Sequence, residues 1–202
     1  MKKERKNLIL LVGTLIFLLG MTMSIALKTD KIPAIQRSNT HSSYFKTVAD
    51  LEGSMEQAQK LIQQKEFNQA VDLLNRIIAS YPEASVPRMR LGSVYYQQKN
   101  YAKAEQTFSD LLKYHPNNAA AYNNLCETLI RQNRLPEAKS AITKAIELAP
   151  ENYEIQLNAA NLYALLHEDQ KAVELLHRAL NNGATPEMVI KYRELVKLQE
   201  RQ

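Results

Sequence analysis

AAYNNLCETLIRQNRLPEAKSAITKAIELAP, residues 120–150, holds two stretches of helical spacing separated by a short polar turn. A stretch of the same pattern, VPRMRLGSVYYQQKNYAKAEQTFSDLLKYHP, occupies residues 86–116, 34 residues earlier. Ala70, Ala104, Ala138 and Ala172 recur at that interval. So do Pro82, Pro116 and Pro150, with Ala184 at the place of a fourth proline. The register also aligns Ala58, Gly92, Cys126 and Ala160; Leu61, Tyr95, Leu129 and Tyr163; and Leu74, Phe108, Ile142 and Leu176. A fixed period of this length marks stacked units, each unable to bury its apolar face alone.

Each unit reads as two helices. In the second, Leu91, Val94 and Tyr95 share one face, while Ala104, Phe108, Leu111 and Leu112 share another. Polar turns (QKEF, QKNY, QNRL) join the pair, and Asn100 and Asn133 suit a helix C-terminus because asparagine tolerates the left-handed conformation. The prolines follow helix ends, where a missing N–H costs nothing. Cys126, the single cysteine, stands in the column of Ala58, Gly92 and Ala160, which marks it as a small packing residue.

The period and the placing of its small residues resemble the tetratricopeptide repeat family. The resemblance implies an all-α fold, a right-handed superhelix of about four helix-turn-helix units at 51–84, 85–118, 119–152 and 153–184. It also implies that the first helices line a concave groove for peptide segments. Ser54, Arg88 and Gln156 depart from it by standing where a large aromatic is usual, a place filled only by Tyr122. Ile77 and Leu111 likewise replace small residues. Stacked repeats need end caps. Residues 44–50 form a lead-in at one end and 185–202 a capping helix at the other. In the cap Gly183 closes the fourth unit, Thr185 caps, Pro186 and Glu187 suit the first turn, and Val189, Tyr192, Leu195 or Val196, and Gln199 face inward.

The net charge of +5 is unevenly placed. Residues 1–31 hold six basic and two acidic side chains, which leaves 20 basic and 19 acidic in residues 32–202. A nearly neutral body lacks the basic face that nucleic-acid binding requires. The basic residues instead flank LILLVGTLIFLLGMTMSIAL, residues 8–27, an uncharged run of 20. At 1.5 Å per residue that run spans a hydrocarbon core of about 30 Å. The expected topology is a cytoplasmic basic segment (1–7), a single transmembrane signal-anchor helix (8–27), a polar tether (28–43), and repeats outside the inner membrane. Cleavage after Ala26, giving a secreted or periplasmic protein, is the alternative. A flexible tether of this length reaches about 20–25 Å.

No nucleophile, base and orienting group share a motif, so the protein reads as no enzyme, with no cofactor and no metal. His41, His115, His167 and His177 make no ligand spacing with one another, and His167-Glu168-Asp169 falls in a turn. By family geometry the groove is lined by Met55, Gln59, Met89, Arg90, Ser93, Tyr96, Asn123, Asn124, Glu127, Asn158 and Asn161. Asparagine amides both donate and accept, so a ladder of them can hold an extended peptide backbone. One subclass of the family clamps a terminal carboxylate with lysines, arginine and asparagine. Here the matching places hold Met55, Gln59, Arg90, Ala120 and Asn124, or one unit on Met89, Ser93, Asn124, Glu154 and Asn158, so both lysines are missing. The expected role is a membrane-anchored scaffold that holds a protein partner in its groove and assembles a cell-envelope complex such as a pilus, secretion, respiratory or cytochrome maturation machine. A homo-oligomerisation module, or a subunit using convex or terminal surfaces, is the alternative.

Overall fold

The computed structural model describes residues 50–190. The expected basic segment, spanning helix, tether and most of the lead-in therefore lie outside the described residues, as does the cap beyond residue 190. Among the described residues all regular structure is helical. In chain order the helices are α1 (50–63), α2 (Phe67–Ser80), α3 (Ser85–Gln97), α4 (Tyr101–Tyr114), α5 (Ala119–Arg131), α6 (Leu135–Leu148), α7 (Tyr153–Leu165) and α8 (Asp169–Asn181). Residues 186–190, the last described, are helical and are labelled α9. Each odd-numbered helix from α3 to α7 packs most closely on the even-numbered helix that follows it, and successive odd helices also touch. No helix of the described residues is long and apolar enough to cross a membrane.

The two kinds of turn have different causes. Within every pair the chain passes through one left-handed residue at the same register: Lys65 (φ 61°), Lys99 (59°), Asn133 (59°) and His167 (59°). The following amide then reaches back to a carbonyl of the first helix, as in Asn100 N to Tyr95 O (2.9 Å) and Glu168 N to Tyr163 O (2.8 Å). This is a Schellman closure, which satisfies carbonyls the helix end would leave open. Asn133 fits the asparagine expectation, but Asn100 does not. It sits at φ −86°, one residue past the turn, and its side chain accepts from Lys103 N as an N-cap. The left-handed place in that unit falls to Lys99 because the helix ends one residue earlier than the asparagine suggests. Left-handed geometry costs a residue with a Cβ about 1–2 kcal/mol. Lys99→Gly should therefore stabilise the protein by about 0.5–1 kcal/mol after glycine's extra entropy loss, and Asn133→Gly should gain less; urea denaturation of both variants checks the difference.

Between pairs, Tyr81, His115 and Ala149 end their helices at φ −131°, −129° and −142°. Each precedes a proline, whose ring excludes the helical conformation from the residue before it. The fourth unit has no proline, and Gly183 at φ +106° closes it instead, with Ala184 N bonding Ala179 O at 2.9 Å. Thr185 Oγ1 then accepts from Met188 N (3.3 Å) and Val189 is buried, as the reading of the cap requires.

The aligned columns are the core. Ala70, Ala104, Ala138 and Ala172 are fully buried, as are Ala58, Cys126, Leu74 and Ile142. An ideal Cβ at Gly92 would stand 2.5 Å from the Phe108 ring, so the smallest residue of one column faces the largest of another. Burial pushes the Cys126 thiol up to about 12, which keeps it protonated at neutral pH and removes it as a nucleophile.

The two buried polar departures from the aromatic place share one solution. Arg88 Nη1 donates to Pro82 O, and Gln156 Nε2 donates to Pro150 O at 2.6 Å. In both units a long polar side chain satisfies the carbonyl six residues back, in the turn that delivers its own helix. Arg88 also lies 4.5 Å from the Tyr114 ring centroid.

Candidate functional site: the row of first helices

The side chains expected in the groove lie on α1, α3, α5 and α7. Met55, Gln59, Met89, Arg90, Ser93, Tyr96, Asn123, Asn124, Glu127 and Asn161 are half-buried there, and Asn158 is buried. Several are joined across successive helices at a constant offset of 35 residues. Asn124 Nδ2 contacts Met89 Sδ (3.1 Å), Asn158 Nδ2 donates to Asn123 Oδ1 (3.0 Å), and Arg131 Nε donates to Tyr96 Oη (3.0 Å). Adding one residue to the period selects the side chain that leans back on the preceding helix.

These bonds alter the part the asparagines can play. The amides of Asn124 and Asn158 point along the wall to the preceding first helix, Asn124 to Met89 and Asn158 to Asn123. They hold the first helices at a fixed spacing. Ser93 Oγ is similarly turned to its own helix, donating to Met89 O (3.0 Å). Tyr96 packs edge-on to Tyr101, with ring centroids 5.5 Å apart. Arg90 buries its Nε without a hydrogen-bond partner. Arg131 and Glu154, absent from the sequence-derived set, belong to the site. Arg131 stands 35 residues after Tyr96, an offset that the 34-residue register passes over, whereas Glu154 acts through charge alone.

Glu127 is the electrostatic centre of the row. Burial pushes its carboxyl above the usual range, a hydrogen bond from Asn158 and the charge of Arg131 oppose that, and the charge of Glu154 adds to it. Elsewhere, the turn at His167, Glu168, Asp169, Gln170, Lys171 and Glu174 borders an open depression of about 760 Å³. Glu168 there is paired with Lys139 at 2.6 Å. Among the described residues no three His, Cys, Asp or Glu side chains are grouped to hold a metal ion.

The tetratricopeptide repeat family model matches residues 61–129, 95–147 and 129–189, overlapping windows that cover most of the described chain. The chain belongs to the tetratricopeptide repeat family. Over 126 residues this repeat chain is 32% identical to cellulose synthase operon protein C of Pseudomonas fluorescens, an alignment covering 62% of this chain and 10% of that protein. It spans between 10% and 38% of the length of the curated relatives it matches. A thermophilic tetratricopeptide repeat protein of Thermus thermophilus superposes with a TM-score of 0.63 at 20% identity, covering 71% of this chain and 81% of that one. The first repeat domain of Spaghetti, solved with an HSP90 peptide, gives 0.50 at 21% identity over 63% of this chain and 93% of that one. At such identities these two structures establish the tetratricopeptide fold alone. The repeats make the chain a protein-interaction module of the tetratricopeptide type.

Proposed function

We propose that this protein is a non-enzymatic, membrane-tethered adaptor that holds an extended segment of a partner protein along its first helices and so assembles or stabilises a cell-envelope complex. The observation that carries the reading is the wall of side chains joined 35 residues apart from α3 to α7. It fixes a ready-made surface and reduces the ordering cost of binding. The peptide bound to the Spaghetti domain is consistent with this use of the fold. The tether to the membrane rests on the uncharged run at residues 8–27 behind a basic start. A topology reporter after Gln202 reads the expected export, and the mass of the exported protein separates a retained anchor from cleavage after Ala26.

A photo-crosslinking residue in place of Ser93 on the groove, compared with one in place of Gln106 on the exposed side of α4, tests the surface in the full chain. A partner cross-linked from position 93 and not from 106 supports the groove, whereas the reverse pattern moves the binding surface to the second helices. Homo-oligomerisation through the C-terminal end is favoured by two exposed apolar side chains at residues 186–190, Met188 (41% exposed) and Ile190 (54%). Solution mass with and without residues 186–202 separates the two readings: loss of an oligomer with fold retained favours self-association.

A further inference from the structure

Three rows of the first helices make the floor along which a partner segment would lie. They are Met55, Met89, Asn123 and Leu157; Gln59, Ser93, Glu127 and Asn161; and Ile62, Tyr96, Ile130 and Ala164. Of these twelve side chains one is charged, Glu127, in the middle row of the third unit; the neighbouring row, Glu56, Arg90, Asn124 and Asn158, carries its two charges in the first and second units. The Glu127 carboxylate takes part in none of the ion pairs among the described residues. The cation one turn along α5, Arg131, gives its Nε to Tyr96 Oη. Arg90 lies two helices earlier in the neighbouring row and takes part in none of the ion pairs among the described residues. Asn158 supplies one hydrogen bond and Glu154 a second negative charge. Glu127 is thus half-stripped of water, beside a like charge, with Arg131 acting on it through charge from one turn away but forming no ion pair with it.

A segment lying over this row removes the water that remains. Burying a carboxylate that no cation pairs with directly opposes association more strongly than burying a neutral group on the floor, and a backbone that offers one amide compensates only in part. A cation at the end of a long apolar stem removes that penalty, and its stem covers Tyr96 and Ile130. We propose that the groove selects an extended segment with a lysine or arginine that pairs with Glu127, flanked by neutral or apolar residues, and rejects acidic segments. This rests on the groove being the partner surface.

The test uses the full chain and fluorescein-labelled nine-residue peptides of Ala, Leu, Asn and Ser with Lys, Gln or Glu at the centre, read by fluorescence anisotropy. Central Lys should bind about tenfold tighter than central Gln, the size expected of a charge-assisted contact, and central Glu weakest. Glu127→Gln should bring Lys and Gln within about twofold, and Glu127→Lys should reverse the order of Lys and Glu. Burial raises the Glu127 carboxyl in the fold, so the charge opposes folding above that pKa; Glu127→Gln is expected to melt no lower than the parent at neutral pH. Ser93→Trp, which fills the middle row, is the second arm. Peptides excluded by Ser93→Trp but without Lys preference, or with a Lys preference that survives Glu127→Gln, leave the groove standing and overturn the pairing. Binding indifferent to both changes, or no binding by any peptide, overturns the groove reading and the pairing together.

Discussion

Gly92→Ala is expected to destabilise the protein by about 1–3 kcal/mol, although alanine is the better helix former by nearly 1 kcal/mol. The new methyl would stand 2.5, 2.6 and 2.9 Å from three atoms of the Phe108 ring. The ring is only 1% exposed and cannot swing into solvent. In the same two columns the chain pairs Ala58 with Leu74, Cys126 with Ile142, and Ala160 with Leu176, so the smallest partner accompanies the bulkiest. Phe108→Leu alone should cost about 1–2 kcal/mol through the cavity it leaves. The double variant should recover part of the sum, a coupling of about 1 kcal/mol or more. Urea denaturation of the four proteins reads this. Strict additivity would show that the ring finds room elsewhere and that the two columns do not share one volume.

The same pair shows what the sequence could reveal. A period of 34 residues carried by small residues, prolines and bulky apolar residues in one register was enough to place four helix pairs, because each column answers a steric demand that repeats identically. Single-residue geometry was less legible. Asn100 reads as a left-handed turn residue, yet Lys99 occupies that conformation while Asn100 caps α4, since asparagine suits both places and only the helix end decides. The candidate groove residues came from the geometry of the family that the chain resembles. Their partners did not, because the contacts run at 35 residues rather than 34. An asparagine that could hold a ligand and one that bonds the next helix have the same letter. Glu127 stood in the list as one polar residue among many. Its distinction depends on what Arg131 does instead of pairing with it, which is a matter of side-chain direction.

Arg88→Met is expected to cost about 1.5–3 kcal/mol, the range for a lost hydrogen bond to a charged group, although the apolar stem is kept. Arg88 is 7% exposed, and it is held there by the Pro82 carbonyl and the face of Tyr114 at 4.5 Å. Removing the guanidinium leaves that carbonyl without this donor in the turn between the first and second units. Gln156, fully buried, meets the equivalent carbonyl, Pro150 O, with a neutral amide at 2.6 Å, the Arg178 guanidinium standing farther off at 3.5 Å. Arg88→Gln should therefore lose less than Arg88→Met, even though glutamine cannot reproduce the cation–π contact of about 1 kcal/mol. A cycle with Tyr114→Leu isolates the ring: if the contact with Tyr114 were the main hold on Arg88, Arg88→Met would cost almost nothing in the Tyr114→Leu background. Most of the loss should persist there, because the bond to Pro82 is independent of the ring. Equal losses for Arg88→Gln and Arg88→Met would overturn the equivalence of the two units and leave the charge, rather than the turn carbonyl, as the reason an arginine replaces the aromatic.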